Sequence, residues 1–516
     1  MPAITVKPTL RLVVHPDSCT RPRLLSSVVF FRTSFVRSSA RRKLIIVALI
    51  ALAASAGIQA QTLKLRIAVA STSPARIRIN AEFPEPTAVI SFPNAYGGVL
   101  GLAERIENVE ARAAGGEVVA VRKLGPGEFQ SSEKFNRTSY EVNLSTPTPP
   151  AQGSHVSWLN SAHGLLMLSD LLPRSIKGPG AFSSAQIQLE LPAGWSAASN
   201  SEKQASLTYF TEESNKTVFL LGPHLQEKSQ RIGARDFSVV LSGAWPIAGK
   251  DALRVAGKIV EEYSKLTGFE LKHNAILILV PFPGDAPPAR WTAETRGNAV
   301  VLLLGSRGSA KQVKSRLGIV LAHEVFHLWV PNSLNLAGDY DWFFEGFTVY
   351  QALLMDLRLH LISVKDYLDT VARVYDSYLS APDRDTLSLL QASERRWSTS
   401  STLVYDKAML VAFLYDLELR KVSACNASIA DVYRDLFFAS RSGHDDGNKL
   451  IITLLSGRQG LRHFVANYID GTDPLDLAVS VRSYGLRVSR TNAGTQLMVD
   501  KPTKEQSKIL KCLVTN

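Results

Sequence analysis

Cysteine is scarce: three residues in 516, too few for a disulfide framework, so the fold must rest on apolar burial. Long apolar runs are missing as well. The most hydrophobic stretch, Leu44 to Gly57, falls short of the roughly 20 residues that comfortably span a bilayer. No internal repeat, low-complexity linker, phosphate-binding glycine loop, nucleophile elbow or mixed aromatic and basic stripe is visible, which removes P-loop nucleotide chemistry, serine-elbow hydrolysis and nucleic-acid partners. The basic excess is equally illusory. Of the formal +12, nine Lys or Arg and one acid lie in the first 60 residues, leaving the remainder at about +4, too little for polyanion binding.

What remains is a globular composition. With 45% hydrophobic residues, the chain is long enough for two to four domains, each with its own core. Arg41-Arg42-Lys43, the apolar run and Ile58-Gln59-Ala60 follow the order of a secretory signal peptide. Cleavage near Ala60 and retention as an N-terminal anchor both put the body outside the cytoplasm, periplasmic or secreted; a membrane partner follows only in the second case. Cys425 and Cys512 then remain, either as one pair or as independent thiols.

From Leu63 to about Arg235 short alternating stretches, such as Lys64 to Val69 and Ala185 to Leu191, are broken by Pro and Gly clusters at 147–153 and 178–180. This predicts a β-sandwich. Strands at Phe237 to Leu241, Ala275 to Val280 and Ala299 to Leu304, with a helix over Asp251 to Leu266, predict an α/β or α+β layer. After Lys311 almost everything reads as helix: Lys311 to Val330, Glu345 to His360, Val364 to Leu379, Thr402 to Val422, Ile429 to Ser440 and Leu461 to Tyr468. The expected division is a leader over 1–60, a sandwich over 61–235, a catalytic domain over 236–400 and a helical domain over 401–516.

The chemistry lies at the seam between the strand-rich and helix-rich halves. His323-Glu324-Val325-Phe326-His327 is an H-E-x-x-H set inside an apolar helix. Residues four apart share a helical face, so both imidazoles can address one ion while Glu324 reaches its water. Two satisfied core histidines are the plainer alternative. A catalytic zinc needs a third ligand and an open position, and Glu345 stands eighteen positions beyond His327. Pro331 and Asn332 end the first helix, Gly338-Asp339 turns the chain, and an antiparallel pair can return Glu345 to the histidines. A carboxylate set among Trp342, Phe343, Phe344 and Phe347 also needs a partner once buried. These residues point to one Zn2+ per chain, with Glu324 as general base acting on peptide substrates.

The segments at 323–329, 342–350 and 405–420 resemble the glycyl aminopeptidase family of gluzincins and are more distantly similar to the alanyl aminopeptidases and leukotriene A4 hydrolase. The segment from Phe464 to Thr472 extends the resemblance. It implies an α+β protein: an N-terminal β-sandwich, a thermolysin-like zinc peptidase domain and an α-helical C-terminal domain. It also implies zinc ligands His323, His327 and Glu345, base Glu324 and, at Tyr405, a donor to the oxyanion of the transition state. The family's Gly-rich motif with an acidic residue that holds the substrate amine is absent. Glu294, in Thr292 to Ala299, is the candidate in its place. The span between His327 and Glu345 is shorter than usual in the family, and the thirty residues after Leu486 leave no room for the PDZ domain that relatives often carry. The expected activity is aminopeptidase on short peptides, with endopeptidase or oligopeptidase action and a silent peptide-binding role as the alternatives.

Asp339 and Asp341 are candidate outer acceptors for a ligand histidine and equally turn or cap residues. His444-Asp445-Asp446-Gly447 reads as a loop rather than a second metal site. Asn136, Asn143, Asn215 and Asn426 lie in glycosylation triplets.

Overall fold

The computed structural model describes residues 62–174, 184–284, 286–287, 290–305, 308–397, 400–443, 445–492 and 494–515. The leader over 1–60 and the Gly178-Pro179-Gly180 cluster lie outside them. The N-terminal half contains β1 (Leu63–Thr72), β2 (Ala75–Ser91), β3 (Ile106–Arg112), β4 (Glu128–Asn143), β5 (Gly164–Met167), β6 (Ala185–Glu190), β7 (Ser196–Ser199), β8 (Thr208–Thr211) and β9 (Val218–Gly222). One sheet runs β8-β6-β1-β2-β4-β3 through its middle, antiparallel except where β1 meets β6. The other carries β7-β9-β5. Alternation sets what each face touches. Leu166, Phe219 and Leu221 point into the sandwich core, while Leu165, Met167, Val218 and Leu220 point the opposite way.

That opposite face rests on a third, five-stranded sheet: β10 (Gln226–Ile232), β11 (Arg235–Leu241), β12 (Ala275–Pro281), β13 (Trp291–Arg296) and β14 (Ala299–Leu304), in the order β10-β11-β12-β14-β13. β11, β12 and β14 are parallel, and β13 is an antiparallel edge strand. Val240, Ile278 and Val301 pack on the sandwich, and Val239, Leu277 and Val300 pack on helices. Cover on both faces explains why β12 and β14 are continuous apolar runs without alternation.

The helical layer begins with α1 (Gly249–Thr267) and α2 (Ala310–Phe326). α2 opens on a capping box between Ser309 and Gln312. Tyr263 Oη of α1 donates to the Ala322 carbonyl at 2.5 Å, and its ring lies 4.5 Å from Phe326, so α1 braces the end of α2. Beyond lie α3 (Thr348–Arg358), α4 (Val364–Ser380), α5 (Leu389–Glu394), α6 (Ala408–Val422), α7 (Ile429–Ala439), α8 (Gly447–Ser456) and α9 (Lys504–Thr515). Two π turns, Trp342–Phe347 and Leu403–Lys407, lead into α3 and α6. The mostly helical reading after Lys311 passes over a β-hairpin, β15 (Leu486–Thr491) with β16 (Gly494–Val499), and a two-residue parallel pairing of Leu336–Ala337 with Asp445–Asp446. Cys425 and Cys512 form a disulfide that ties α9 to the loop after α6. No helix among the described residues is long and apolar enough to cross a membrane.

Candidate metal centre

The site is built where α2 runs out. His323 lies in its last turn and His327 caps it, so the four-residue spacing puts both imidazoles on the face toward the first π turn. His327 Nδ1 is 2.8 Å from the Val330 carbonyl oxygen. A carbonyl only accepts, so Nδ1 carries the hydrogen and Nε2 presents its lone pair inward. Asp339 and Asp341 do not perform this service. The Asp341 carboxylate bonds Arg396 instead, and His323 Nδ1 is buried with no hydrogen-bond partner.

Glu345 arrives from the π turn Trp342–Phe347, the widened helical turn that recurs at functional sites. Its Oε2 lies 3.5 Å from both His323 Nε2 and His327 Nε2, which are 3.1 Å from each other. Ligands about 2.0–2.2 Å from a tetrahedral zinc are separated by about 3.3–3.6 Å. The two histidine–carboxylate separations fall in that range and the histidine–histidine one lies slightly below it. Three such atoms, all within 4.8 Å of one another, fit a shared cation, and two imidazole nitrogens at 3.1 Å need a cation or a proton between them. Among the described residues this is the one group of three or more His, Cys, Asp or Glu that could hold a metal. Asp446, from the discarded second cluster, caps α8 through Lys449 N at 3.0 Å.

The electrostatics agree. Burial alone would raise the Glu345 carboxyl, but His327, His323 and Arg396 outweigh it and hold it well below the ordinary carboxylate range. Burial would lower His327, yet the carboxylates of Glu345 and Glu324 push it up to about 9 in the metal-free chain. A metal there must displace that proton.

Glu324 is buried beside its neighbours and does not join the triangle. Its Oε2 accepts from Thr295 Oγ1 at 2.9 Å, which hangs it between α2 and the edge strand β13. Tyr405 comes from the second π turn. Burial and the Glu345 charge hold its phenol protonated, far above the ordinary tyrosine value, so its hydroxyl keeps the hydrogen it would donate. The two π turns touch at Gly346, where an added Cβ would come within 2.3 Å of Ala408 Cβ and 2.6 Å of the Val404 carbonyl oxygen. Glycine permits that approach.

Glu294 lies next to Thr295 on β13, but its carboxylate already accepts three hydrogen bonds. Oε1 accepts from Tyr96 Oη at 2.6 Å and Arg296 Nε at 2.5 Å, and Oε2 from His155 Nδ1 at 2.5 Å. Burial would raise its carboxyl, but Arg296, His155 and Tyr96 outweigh that and hold it low. Tyr96 and His155 come from the N-terminal half, so both halves of the chain meet at β13. Sequence reasoning missed Arg396, Tyr96 and His155, since none lies in a spacing pattern or beside a motif that announces a role, and it passed over Thr295 although that residue adjoins Glu294.

Residues 317–411 match the model of the M61 glycyl aminopeptidase family. No curated protein matches the chain. Among solved structures, an aminopeptidase N family protein from Idiomarina loihiensis is similar with a TM-score of 0.71 and 16% identity, over 83% of this chain and 79% of that one. An M1 zinc metallopeptidase from Deinococcus radiodurans, a mutant bound to a Tyr-Ser-Ala substrate, is similar with a TM-score of 0.52 and 14% identity, over 81% and 95%. At such identities the likeness is one of fold: an N-terminal β domain, a catalytic layer and a helical domain. The M61 match, across α2, both π turns and the start of α6, makes the chain a peptide hydrolase of the metallopeptidase, aminopeptidase-like class.

Proposed function

We propose that this peptide hydrolase is an exported zinc aminopeptidase acting on short peptides, with one zinc per chain on His323, His327 and Glu345. The observation that carries the reading is the triangle of two imidazole nitrogens and one carboxylate oxygen at 3.1 and 3.5 Å, with a buried carboxylate, Glu324, one residue from a ligand. Export rests on the leader sequence alone.

A zinc ion in this site supplies Lewis acidity and makes water nucleophilic near neutral pH. The chain's own groups do the rest. Glu324, held by Thr295, accepts the proton that water loses on attacking the peptide carbonyl and passes it to the departing nitrogen. The Tyr405 hydroxyl donates to the carbonyl oxygen as it gains negative charge, in a pocket where burial strengthens that bond. β13 offers an edge beside these groups on which an extended peptide can lie as an added strand.

The end of the peptide is where a second reading enters. An amine anchor needs an uncommitted carboxylate, and Glu294 has Arg296, His155 and Tyr96 on it. That occupancy favours endopeptidase or oligopeptidase action unless the substrate ammonium displaces Tyr96 or His155. Purified protein incubated with free and N-acetylated forms of one peptide library, with product masses recorded, decides between them. Single-residue losses from the free set alone establish the aminopeptidase; internal cuts in both sets establish the endopeptidase. No cuts by zinc-loaded protein would refute the enzyme and leave a silent peptide-binding protein.

A further inference from the structure

One side chain outside the motif segments touches both the third ligand and the tyrosine. Arg396, just beyond α5, donates from Nη1 to Asp341 Oδ1 at 2.5 Å, and from Nη2 to Glu345 Oε1 and Tyr405 Oη, each at 2.7 Å. The arginine side chain is 13% exposed. It lies against three rings, with centroids 4.6 Å away at Trp397, 5.4 Å at Tyr405 and 5.6 Å at Phe344, distances typical of cation–π contact.

The bonding capacities make this arrangement directional. A guanidinium has five N–H donors and no acceptor. Both hydrogens of Nη2 are therefore spent, one on each partner. On Glu345 this consumes Oε1 and leaves Oε2, the oxygen equidistant from the two histidine nitrogens, to face the metal position. On Tyr405 it consumes an oxygen lone pair. The phenolic hydrogen cannot point back at a group that only donates, so it is turned elsewhere. Asp341, four residues before Glu345 and on the same face, holds the other arm of the fork and stops it from swinging. Lysine cannot reproduce the arrangement, because one ammonium on a flexible stem lacks the planar fork.

We propose that Arg396 is a positioning residue with two simultaneous tasks: it holds Glu345 to a single metal-facing oxygen and fixes Tyr405 as a hydrogen-bond donor toward the reacting carbonyl. This rests on the zinc peptidase reading above. A purely structural ion pair between the loop after α5 and the π turn is the competing explanation, and it predicts lost stability without a linked loss of metal affinity and of tyrosine function.

The test uses the full mature chain with Arg396→Lys, Tyr405→Phe and their double variant. Zinc affinity is measured by chelator competition alongside kcat and KM. Arg396→Lys is expected to weaken zinc about 10-fold to 100-fold, the usual cost of losing an outer partner of a ligand. At saturating zinc its kcat falls with KM nearly unchanged. Tyr405→Phe is expected to keep wild-type zinc affinity, and its kcat penalty shrinks when added to Arg396→Lys, because the tyrosine is already misaligned there. Asp341→Asn, which leaves the arginine in place, shows the same two effects more weakly and serves as the probe if Arg396→Lys fails to fold. Wild-type zinc affinity together with an undiminished Tyr405→Phe penalty in the arginine variant, or in Asp341→Asn, overturns the proposal. Failure of the underlying reading looks different: wild-type protein that binds no zinc, or hydrolyses peptides without it.

Discussion

Thr295 Oγ1 lies 2.9 Å from Glu324 Oε2 and 2.8 Å from the Glu324 carbonyl oxygen. One hydroxyl on the edge strand thus shares its single hydrogen between the side chain and the backbone carbonyl of the base. Thr295→Val keeps the shape and removes the bond. We expect kcat to fall roughly 3-fold to 30-fold with little change in KM, as an intramolecular bond to a charged group is worth about 1.5–3 kcal/mol at most. Thr295→Ser should recover most of it. Steady-state kinetics on one peptide suffice, and a Val variant with wild-type kcat would show that Glu324 needs no such tether.

Gly346 explains why Glu345 and Tyr405 can share Arg396. A Cβ at this position collides with Ala408 Cβ and with the Val404 carbonyl oxygen, and neither is the movable end of a flexible side chain. Gly346→Ala is therefore expected to destabilise by about 1–3 kcal/mol, as overpacking does. It should also lower kcat more than remote mutations of equal stability cost, because both functional side chains ride on the turns that must part. Melting temperature and turnover measured together check this; a stable, fully active variant contradicts it.

Asp356, in α3, is buried with Oδ1 lacking any hydrogen-bond partner. Burial pushes its carboxyl up to about 8. The folded state thus holds this proton more tightly than the unfolded chain, whose aspartate titrates near 4. The contribution is complete below about pH 4 and is lost as pH rises through about 8. Asp356→Asn removes the titration at nearly constant shape. The variant is expected to melt above the wild type at pH 8, with the gap closing toward pH 4. A difference independent of pH would mean that Asp356 is not protonated in the fold.

Parts of this architecture are legible in the residues and parts are not, for physical reasons. β12 and β14 read clearly because cover on both faces demands continuous apolar runs. His323 and His327 read clearly because a shared ligand face imposes spacing on one helix. The π turns do not read: Trp342 to Phe347 has the apolar density of any buried helix, and nothing in its spacing marks the widened turn that lies against Val404 and Ala408. Arg396 is invisible for a related reason. It stands 51 positions from Glu345, and only the path of the loop after α5 brings the two together. The β15–β16 hairpin hides because Leu486, Val488 and Leu497 form too short an alternation beside strong helical text. The commitment of Glu294 to Arg296, His155 and Tyr96 belongs to the same class, since two of those partners arrive from the N-terminal half.

The central claim is that His323, His327 and Glu345 hold a zinc ion while Glu324 moves the proton, and Glu324→Gln tests it most directly. Zinc content and peptide hydrolysis are measured on the same preparation as wild type. The account predicts about one zinc per chain in both proteins and a loss of at least 10²-fold to 10⁴-fold in kcat for the variant, the range of a positioned general base. Hydrolysis that survives in the zinc-loaded variant, or zinc that departs with the Glu324 carboxylate, would contradict it.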